Sequence, residues 1–305
     1  MLVEILNQKA EEERNERYGD KKKTSFWASE AEKMDFEIFH QWKGTPPTNP
    51  ITGQKLIMLQ MRKLTEEAIV NLVRREGILI EEYANNKRCY FEWGPNKVPV
   101  SGYPDLAIQG PAGPAMVEIK TYYGDRNEAE VSSGRVRKSY LIQLAIYMYN
   151  FKFKHGILFM INQGNGNKYE YDVYQDEENE FLFRCPDNEM EINLLDTFKK
   201  WENVYVNHVL PDVEPPIQYI YKYDIEKIDW ENTPVSQISK ARNNRAVIGD
   251  WPVKWSDYKD MIIEKQGTTA GYTEEEVNRI KELTKGYSTR NKSKNEVRFD
   301  PSQLT

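Results

Sequence analysis

Three ionisable side chains in one short region could act together on a phosphate ester. Asp105 stands at the start of one apolar run, and Glu118 and Lys120 lie in the next, residues 116–120. Residues two apart project from the same face of a strand, so Glu118 and Lys120 share a face. Two carboxylates buried together need a cation between them, and Mg²⁺ takes hard oxygen ligands. A carboxylate pair with a lysine that orients or deprotonates water is suited to metal-dependent hydrolysis of a phosphodiester.

The elements that must position these side chains are a hairpin and a following helix. The glycine-proline segment 110–114 predicts a tight turn that joins the two runs as antiparallel strands. An ordinary hairpin with a surface salt bridge would contain the same trio. Beyond the hairpin, residues 136–150 have the apolar stripe of a helix, and Gln143 and Tyr147 are four apart, hence on one helix face.

This combination resembles the PD-(D/E)XK nuclease superfamily in its RecB-type, AddB-like branch, which is related to CRISPR adaptation nucleases and lambda-type exonucleases. A Gln-x-x-x-Tyr helix after a Glu-x-Lys strand marks that branch. The resemblance implies that Glu66, Asp105 and Glu118 bind one or two Mg²⁺ or Mn²⁺ ions, with the main-chain carbonyl of Ile119. It also implies catalytic roles for Asp105, Glu118, Lys120, Gln143 and Tyr147. Lys120 would act on the attacking water or the scissile phosphate, and Gln143 and Tyr147 would help to hold Lys120 and the DNA backbone.

The extra metal ligand has two candidates. In that branch a His or Glu on a helix ahead of the sheet supplies it, and here Glu66 falls at that place, with Glu67 beside it. A shift of the alignment by one residue would exchange the two. Each could also be a solvated helix charge.

The resemblance extends to the iron–sulfur subgroup of these nucleases, whose cluster is held by four cysteines. Met34, Val253, Ser256 and Ile262 stand at the four cysteine positions, so this chain is expected to have no cluster, because a cluster needs thiolates. We expect apolar packing in its place. A chance Trp/Tyr-rich loop would explain the C-terminal similarity equally simply.

Basic and aromatic residues surround the proposed helix. Cations there could neutralise phosphates, and tyrosine rings could stack on the bases of a single strand. The residues predicted to bind DNA are Arg135, Arg137, Lys138, Tyr140 and Tyr147. An ordinary run of charges at the start of a helix is the alternative.

Composition excludes several classes of protein. The chain has 305 residues, 39% of them hydrophobic and 30% charged, which is a foldable composition. Two cysteines exclude a disulfide scaffold, and three histidines disfavour a histidine-rich zinc site. No apolar run is long enough to cross a bilayer, and the first 20 residues lack the apolar segment of a signal peptide, so we expect a cytoplasmic protein, in the host cytoplasm if it is viral or phage-like.

The predicted fold is α/β, with a central mixed β-sheet flanked by helices in a restriction-endonuclease-like core. We expect a helical region at 1–55, the nuclease core at 56–210 and a C-terminal extension at 211–305 that packs on the core and ends in a basic tail. Helices are predicted over 2–18, 30–42, 56–75 and 194–209 besides the one at 136–150. The helix at 30–42 is inferred from a capping box formed by Ser29 and Glu32.

The most direct interpretation is a metal-dependent deoxyribonuclease that acts on DNA ends or single strands in recombination, replication or repair. Exonuclease activity is favoured over endonuclease activity. Because the chain has no Walker motif, any helicase or recombinase that works with it would be a separate chain. The alternatives are a non-catalytic nucleic-acid-binding or structural module on the same fold, and a sequence-specific restriction endonuclease.

Overall fold

The structure is a computed structural model that describes residues 2–18, 22–50, 53–83, 87–217 and 256–266, with the single positions 275, 278 and 282. The basic tail and Val253 lie outside the described residues. Two compact units can be distinguished. The first comprises residues 1–33, 38–45 and 52–215, and the second comprises residues 34–37, 46–51 and 216–305.

Helices dominate the chain before the sheet begins, as the sequence predicts. Helix α1 spans Leu2–Tyr18, α2 spans Asp35–Lys43, and the long α3 spans Gly53–Arg75. A two-residue strand, β1 (Phe26–Trp27), and a 3₁₀ turn at Ala28–Glu30 separate α1 from α2. Gly77 follows α3 with a φ of 73°, a conformation that glycine adopts without strain after a helix end.

The capping box at Ser29 and Glu32 does not open a helix at residue 30, so that prediction is wrong. Helix α2 begins at Asp35 instead. The Glu32 carboxylate accepts a hydrogen bond from the backbone N–H of Ser139 at 3.1 Å, at the start of a helix more than a hundred residues away. An acidic side chain can satisfy an N–H group that a helix start leaves without an intrahelical partner.

The described part of the chain contains ten strands, the first of which is β1. Following β1 come β2 (Leu79–Glu82), β3 (Cys89–Trp93), β4 (Val98–Gly102), β5 (Leu106–Gly110), β6 (Gly113–Tyr122), β7 (His155–Asn162), β8 (Lys168–Gln175), β9 (Leu182–Cys185) and β10 (Met190–Asn193). Helices α4 (Asp125–Ser132) and α5 (Lys138–Phe151) connect β6 to β7. Helix α6 (Leu194–Val204) continues into a π turn at Tyr205–Val209, and α7 (Lys259–Gln266) belongs to the second unit.

Seven strands form the main sheet in the order β10-β9-β8-β7-β6-β5-β2, and β1, β4 and β3 form a smaller one. In the main sheet β6 and β7 run parallel, and the other neighbouring pairs are antiparallel. A parallel pair needs a crossover connection, which α4 and α5 supply. The predicted α/β fold with a central mixed sheet flanked by helices is therefore confirmed.

Strand β6, which lies between β7 and β5, is covered on both faces, and its side chains alternate between two apolar clusters. Met116 packs in the larger cluster with Leu144 and Met148 of α5. Val117 and Ile119 pack in the smaller cluster with Val70 of α3. Because neighbouring strand residues point to opposite faces, Glu118 and Lys120 lie on the α5 side of the sheet.

Within the second unit, α7 contacts the segment 46–50. The backbone N–H of Asn49 donates to the carbonyl of Asp257 at 2.8 Å, and Lys265 lies over the Phe36 ring. None of the helices in the described part of the chain is both long and apolar enough to cross a membrane.

Candidate active site

Asp105 lies one residue before β5, where the pairing of β5 with β6 stops. The last pair is Leu106 with Val117, so the following residues of β6 have no strand beside them on that side in the described ladder. Pro104 has no N–H to continue the ladder. The Asp105 carboxylate instead accepts the backbone N–H of Ile119 at 2.6 Å, which fixes the carboxylate beside β6.

Glu118 and Lys120 share a face of β6 and contact each other, as their spacing predicts. The Lys120 Nζ atom donates to Glu118 Oε1 at 2.5 Å. Glu118 is 2% exposed, and its other oxygen, Oε2, is buried without a hydrogen-bond partner. Burial opposes the charge of Lys120, but the two nearby carboxylates outweigh burial and raise the pKa of its ammonium group.

The two carboxylates disfavour each other's charge. Burial, and then the negative charge of Glu118, raise the pKa of Asp105 well above its usual range. Burial also raises the pKa of Glu118, although Lys120 acts in the opposite direction. A nearby positive charge favours the ionised form of both carboxylates.

Gln143 and Tyr147 lie on the face of α5 that covers these side chains. Gln143 Nε2 donates to the Tyr147 hydroxyl oxygen at 3.1 Å, and both residues are buried. Burial, and then the charge of Glu118, raise the pKa of Tyr147 well above its ordinary value. Gly102 makes room for the ring, because a Cβ atom there would lie 2.6 Å from the hydroxyl oxygen.

Helix α3 brings Glu66 into electrostatic contact with Lys120 and Glu118. Burial raises the pKa of Glu66, Lys120 lowers it and Glu118 raises it again. Glu67 is more exposed and lies 3.9 Å from Lys63 on its own helix. This electrostatic contact favours Glu66 as the third carboxylate, and the choice between Glu66 and Glu67 stays a prediction.

Asp105, Lys120 and Glu66 line a cavity of about 640 Å³. Asp105, Lys120 and Thr121 form its sheet side, and Tyr140 contributes from α5. The other side is formed by α3, whose charged and polar lining residues include Arg62, Lys63, Glu66, Glu67, Asn71 and Arg74. The cavity therefore presents carboxylates and cations together, which is what binding a metal ion and a phosphate requires.

The donors present fit a divalent cation, although the side chains do not enclose one as they stand. Among the described residues no group of three acidic, histidine or cysteine side chains has the spacing of a metal site. The buried Oε2 of Glu118 nevertheless lacks a donor, and the neighbouring carboxylates disfavour each other's charge. Carboxylate oxygens are the ligands that Mg²⁺ and Mn²⁺ prefer.

The basic residues predicted at the start of α5 are exposed and are not among those that line the described cavity. This applies to Arg135, Arg137 and Lys138, whereas Tyr140 of the same region does line it. Arg62, Lys63 and Arg74 of α3 were missed by sequence reasoning. Arg62 and Glu66 are four residues apart, and this spacing could have identified Arg62 as a neighbour on the same helix face.

Three of the four positions aligned with iron–sulfur cysteines are described, and all three are buried in the second unit. Met34 is 2% exposed, Ser256 1% and Ile262 0%. The Ser256 hydroxyl oxygen accepts the backbone N–H of Tyr258 at 3.1 Å. Burial is what apolar packing at these positions requires, and the loss of a cluster stays a prediction.

No family model and no curated protein matches the chain. Among solved structures, the chain is similar to the crystal structure of SSO0001, with 15% identity, a TM-score of 0.45, and coverage of 68% of this chain and 87% of that one. It is also similar to an alkaline exonuclease, LHK-Exo, from Laribacter hongkongensis. There the identity is 14% and the TM-score 0.36, with coverage of 65% of this chain and 91% of that one.

Proposed function

We propose that this chain is a metal-dependent nuclease that hydrolyses phosphodiester bonds of DNA. The observation that carries the proposal is the grouping of Asp105, Glu118 and Lys120 at the point where one strand pairing ends. An ordinary hairpin with a surface salt bridge would expose these groups, whereas here Glu118 is 2% exposed. Buried ionisable groups that raise or lower one another's pKa are a recognised indication of a functional site.

In this proposal Glu66, Asp105, Glu118 and the Ile119 carbonyl hold one or two Mg²⁺ or Mn²⁺ ions. A bound divalent cation would make water acidic enough to attack and would stabilise negative charge on the phosphate. Asp105 is oriented for this task by the Ile119 N–H, and Glu118 presents its unpartnered Oε2.

Lys120 supplies a fixed positive charge next to the reacting phosphate. Its ammonium group is 2.5 Å from Glu118, and its side chain is 22% exposed, so it is held in place and still reaches the cavity. The raised pKa keeps Lys120 protonated near neutral pH, which favours charge stabilisation over removal of a proton from water. Gln143 and Tyr147 form the wall behind this pair and support its position.

The substrate in this proposal is DNA with free ends or single strands. The supporting observation is a cavity of about 640 Å³ with cations on the α3 side, where a single backbone could be held next to the carboxylates. The same proposal includes membership of the RecB-type branch and exonuclease activity in recombination, replication or repair. It also includes a separate helicase or recombinase as a partner and a cytoplasmic location.

The experiment that tests the function uses linear and circular DNA, each single- and double-stranded and fluorescently labelled, with Mg²⁺, Mn²⁺ or EDTA. We expect cleavage of linear or single-stranded DNA with either metal and none in EDTA. Cleavage of intact circular duplex at one sequence would favour a restriction endonuclease instead. Intact DNA in all metal-containing reactions would refute the proposal.

A non-catalytic module on the same fold is the second candidate, and one observation favours it. The Lys120 ammonium already neutralises Glu118, and no three ligands in the described part of the chain are gathered as a metal site. Calorimetric titration with Mn²⁺ separates the two candidates. A nuclease should bind Mn²⁺ through Asp105 and Glu118, and the module should give no heat attributable to these residues.

A further inference from the structure

One row of side chains on α3 faces the cavity. Arg62, Glu66, Val70 and Arg74 follow one another at four-residue intervals, so they lie along one side of the helix, and all four line the cavity. Val70 is buried against Val117 and Ile119 of the sheet, which fixes this side of α3 towards the site. Arg62 therefore occupies a defined place one turn before Glu66.

Arg62 differs from Lys63 and Arg74, the other α3 cations that line the cavity. It forms no hydrogen bond or ion pair with any residue that the structure describes. Arg74 by contrast is paired with Glu82, and Lys63 lies 3.9 Å from Glu67. Arg62 still affects Glu66, since its charge lowers the pKa of that carboxyl group against the stronger effect of burial.

A partly buried guanidinium without a partner, facing a cavity, is a group that an anion would complement. The guanidinium fork matches two oxygens of a phosphate, and it keeps its charge at all relevant pH values. The Lys120 ammonium reaches the same cavity from the sheet side. A strand with one phosphate at Lys120 could place a neighbouring phosphate against α3.

We propose that Arg62 binds the phosphate next to the scissile one, so that the substrate strand follows the α3 side of the cavity and not the start of α5. This inference rests on the proposed nuclease function and names the contact that positions its substrate. The ligand is a phosphodiester of a nucleic-acid strand, and the contact does not depend on base sequence.

The test measures binding of a 5′-fluorescein-labelled, 20-nucleotide single-stranded DNA by anisotropy in EDTA, between 50 and 200 mM NaCl. The matched variants are Arg62→Ala and Arg75→Ala, because Arg75 is an exposed arginine of the same helix that is not among the lining residues. We expect Arg62→Ala to weaken binding about tenfold and to reduce the salt slope by about 0.7, as the loss of one phosphate contact predicts. Arg75→Ala should leave both close to wild type.

Arg62→Gln provides a second variant that keeps the length of the side chain, and circular dichroism verifies that each variant is folded. Equal slopes for Arg62→Ala, Arg62→Gln and Arg75→Ala would overturn the inference. Cleavage by the wild type in Mg²⁺ with these equal slopes would leave the nuclease proposal standing. If Arg62→Ala reduces the salt slope of DNA binding but the wild type does not cleave, the phosphate-binding role of Arg62 stands and the proposed nuclease function is refuted.

Discussion

The sheet side of the cavity and the helix side present charged groups in different ways. On the sheet side, Glu118 is 2% exposed, and Gln143 and Tyr147 of α5 are 6% and 2% exposed. On the helix side, the Lys63 and Glu67 side chains are 48% and 53% exposed. The sheet side is held by strand register, hydrogen bonds and packing from α5. On α3, Lys63 and Glu67 are exposed, whereas Arg62 and Glu66 are half-buried.

This difference separates two tasks. Groups that act on reacting atoms must be held closely, which rigid elements and a supporting layer of side chains achieve. Groups that hold a flexible backbone can remain solvated, because each contributes a modest, salt-dependent attraction. Substitutions on the sheet side should therefore change turnover or stability, and substitutions of the α3 cations should change binding. Glu66 is the exception on α3, because it is a proposed metal ligand.

Asp105→Asn should have the largest effect, the loss of all cleavage above background in Mg²⁺. The amide can still accept the Ile119 N–H, but it removes the charge that a cation would bind. Burial and the charge of Glu118 raise the pKa of Asp105 in the folded protein. When the pH rises above about 4, the ordinary pKa of an aspartate, the ionised Asp105 therefore lowers the free energy of unfolding. In EDTA the variant should therefore unfold at a higher temperature than the wild type, with a difference that widens from pH 4 to pH 7.

The control is Asp125→Asn, which changes an exposed carboxylate in the first turn of α4. It should retain cleavage and show no widening difference in EDTA. Adding Mg²⁺ should raise the unfolding temperature of the wild type and of Asp125→Asn, but not that of Asp105→Asn. Cleavage by Asp105→Asn, or a lower unfolding temperature in EDTA, would contradict the buried carboxylate pair.

Lys120→Ala comes next, with an expected fall in single-turnover cleavage of roughly 10²–10³-fold, equivalent to about 3–4 kcal/mol of lost charge stabilisation. An ammonium group cannot be a metal ligand, so Mn²⁺ titration should remain largely intact. Lys168→Ala, on the exposed end of β8, is the matched control and should cleave like the wild type. Cleavage by Lys120→Ala at the wild-type rate would show that β6 is not part of the active site.

The sequence predicted the sheet side because its geometry is local. The two-residue spacing of Glu118 and Lys120 and the four-residue spacing of Gln143 and Tyr147 are fixed by the strand and the helix themselves. The hairpin turn placed Asp105 near Glu118, and the charge interaction between them is found. The mixed sheet followed from the same runs of apolar residues.

The helix side could not be predicted with the same certainty, since it depends on packing between distant segments. Val70 of α3 packs with Val117 and Ile119 of the sheet, and Glu66, one turn earlier on the same side of α3, is in electrostatic contact with Lys120. Glu32 is a similar case, because its carboxylate serves the start of α5 and not the helix nearest to it in sequence. The domain boundaries at 55 and 210 stay predictions.

Gly102→Ala would test how closely the sheet side is packed. The new Cβ would lie 2.6 Å from the Tyr147 hydroxyl oxygen, and that ring is buried and hydrogen-bonded to Gln143. We expect overpacking to lower the free energy of unfolding by about 1–3 kcal/mol, measured by urea denaturation. Gly110→Ala is the control, because its Cβ would come no closer than 3.4 Å to its nearest neighbour. Equal free energies of unfolding for the two variants would show that the Tyr147 ring can shift to accommodate the new Cβ atom.

Tyr140 of α5 also lines the cavity, and two roles can be distinguished for it, holding Lys120 or stacking on a base. Its ring centroid is 5.3 Å from Lys120 Nζ and 5.7 Å from Arg137 Cζ. The sequence suggested that the ring stacks on a base, whereas the geometry indicates that it helps to hold the lysine. A cation over an aromatic ring in a partly desolvated place contributes about 1–2 kcal/mol.

Tyr140→Leu should therefore lower kcat roughly 5- to 30-fold and leave KM and the affinity for single-stranded DNA almost unchanged. Tyr140→Phe retains the ring and should restore kcat. A base-stacking role predicts the opposite division, a loss of affinity of about 1–3 kcal/mol with kcat preserved. Tyr90→Leu is the control, because the Tyr90 ring also lies near a cation, Arg88, but is 49% exposed and is not among the residues that line the cavity. A change in affinity with Tyr140→Leu alone would move Tyr140 from the catalytic side of the cavity to the binding side.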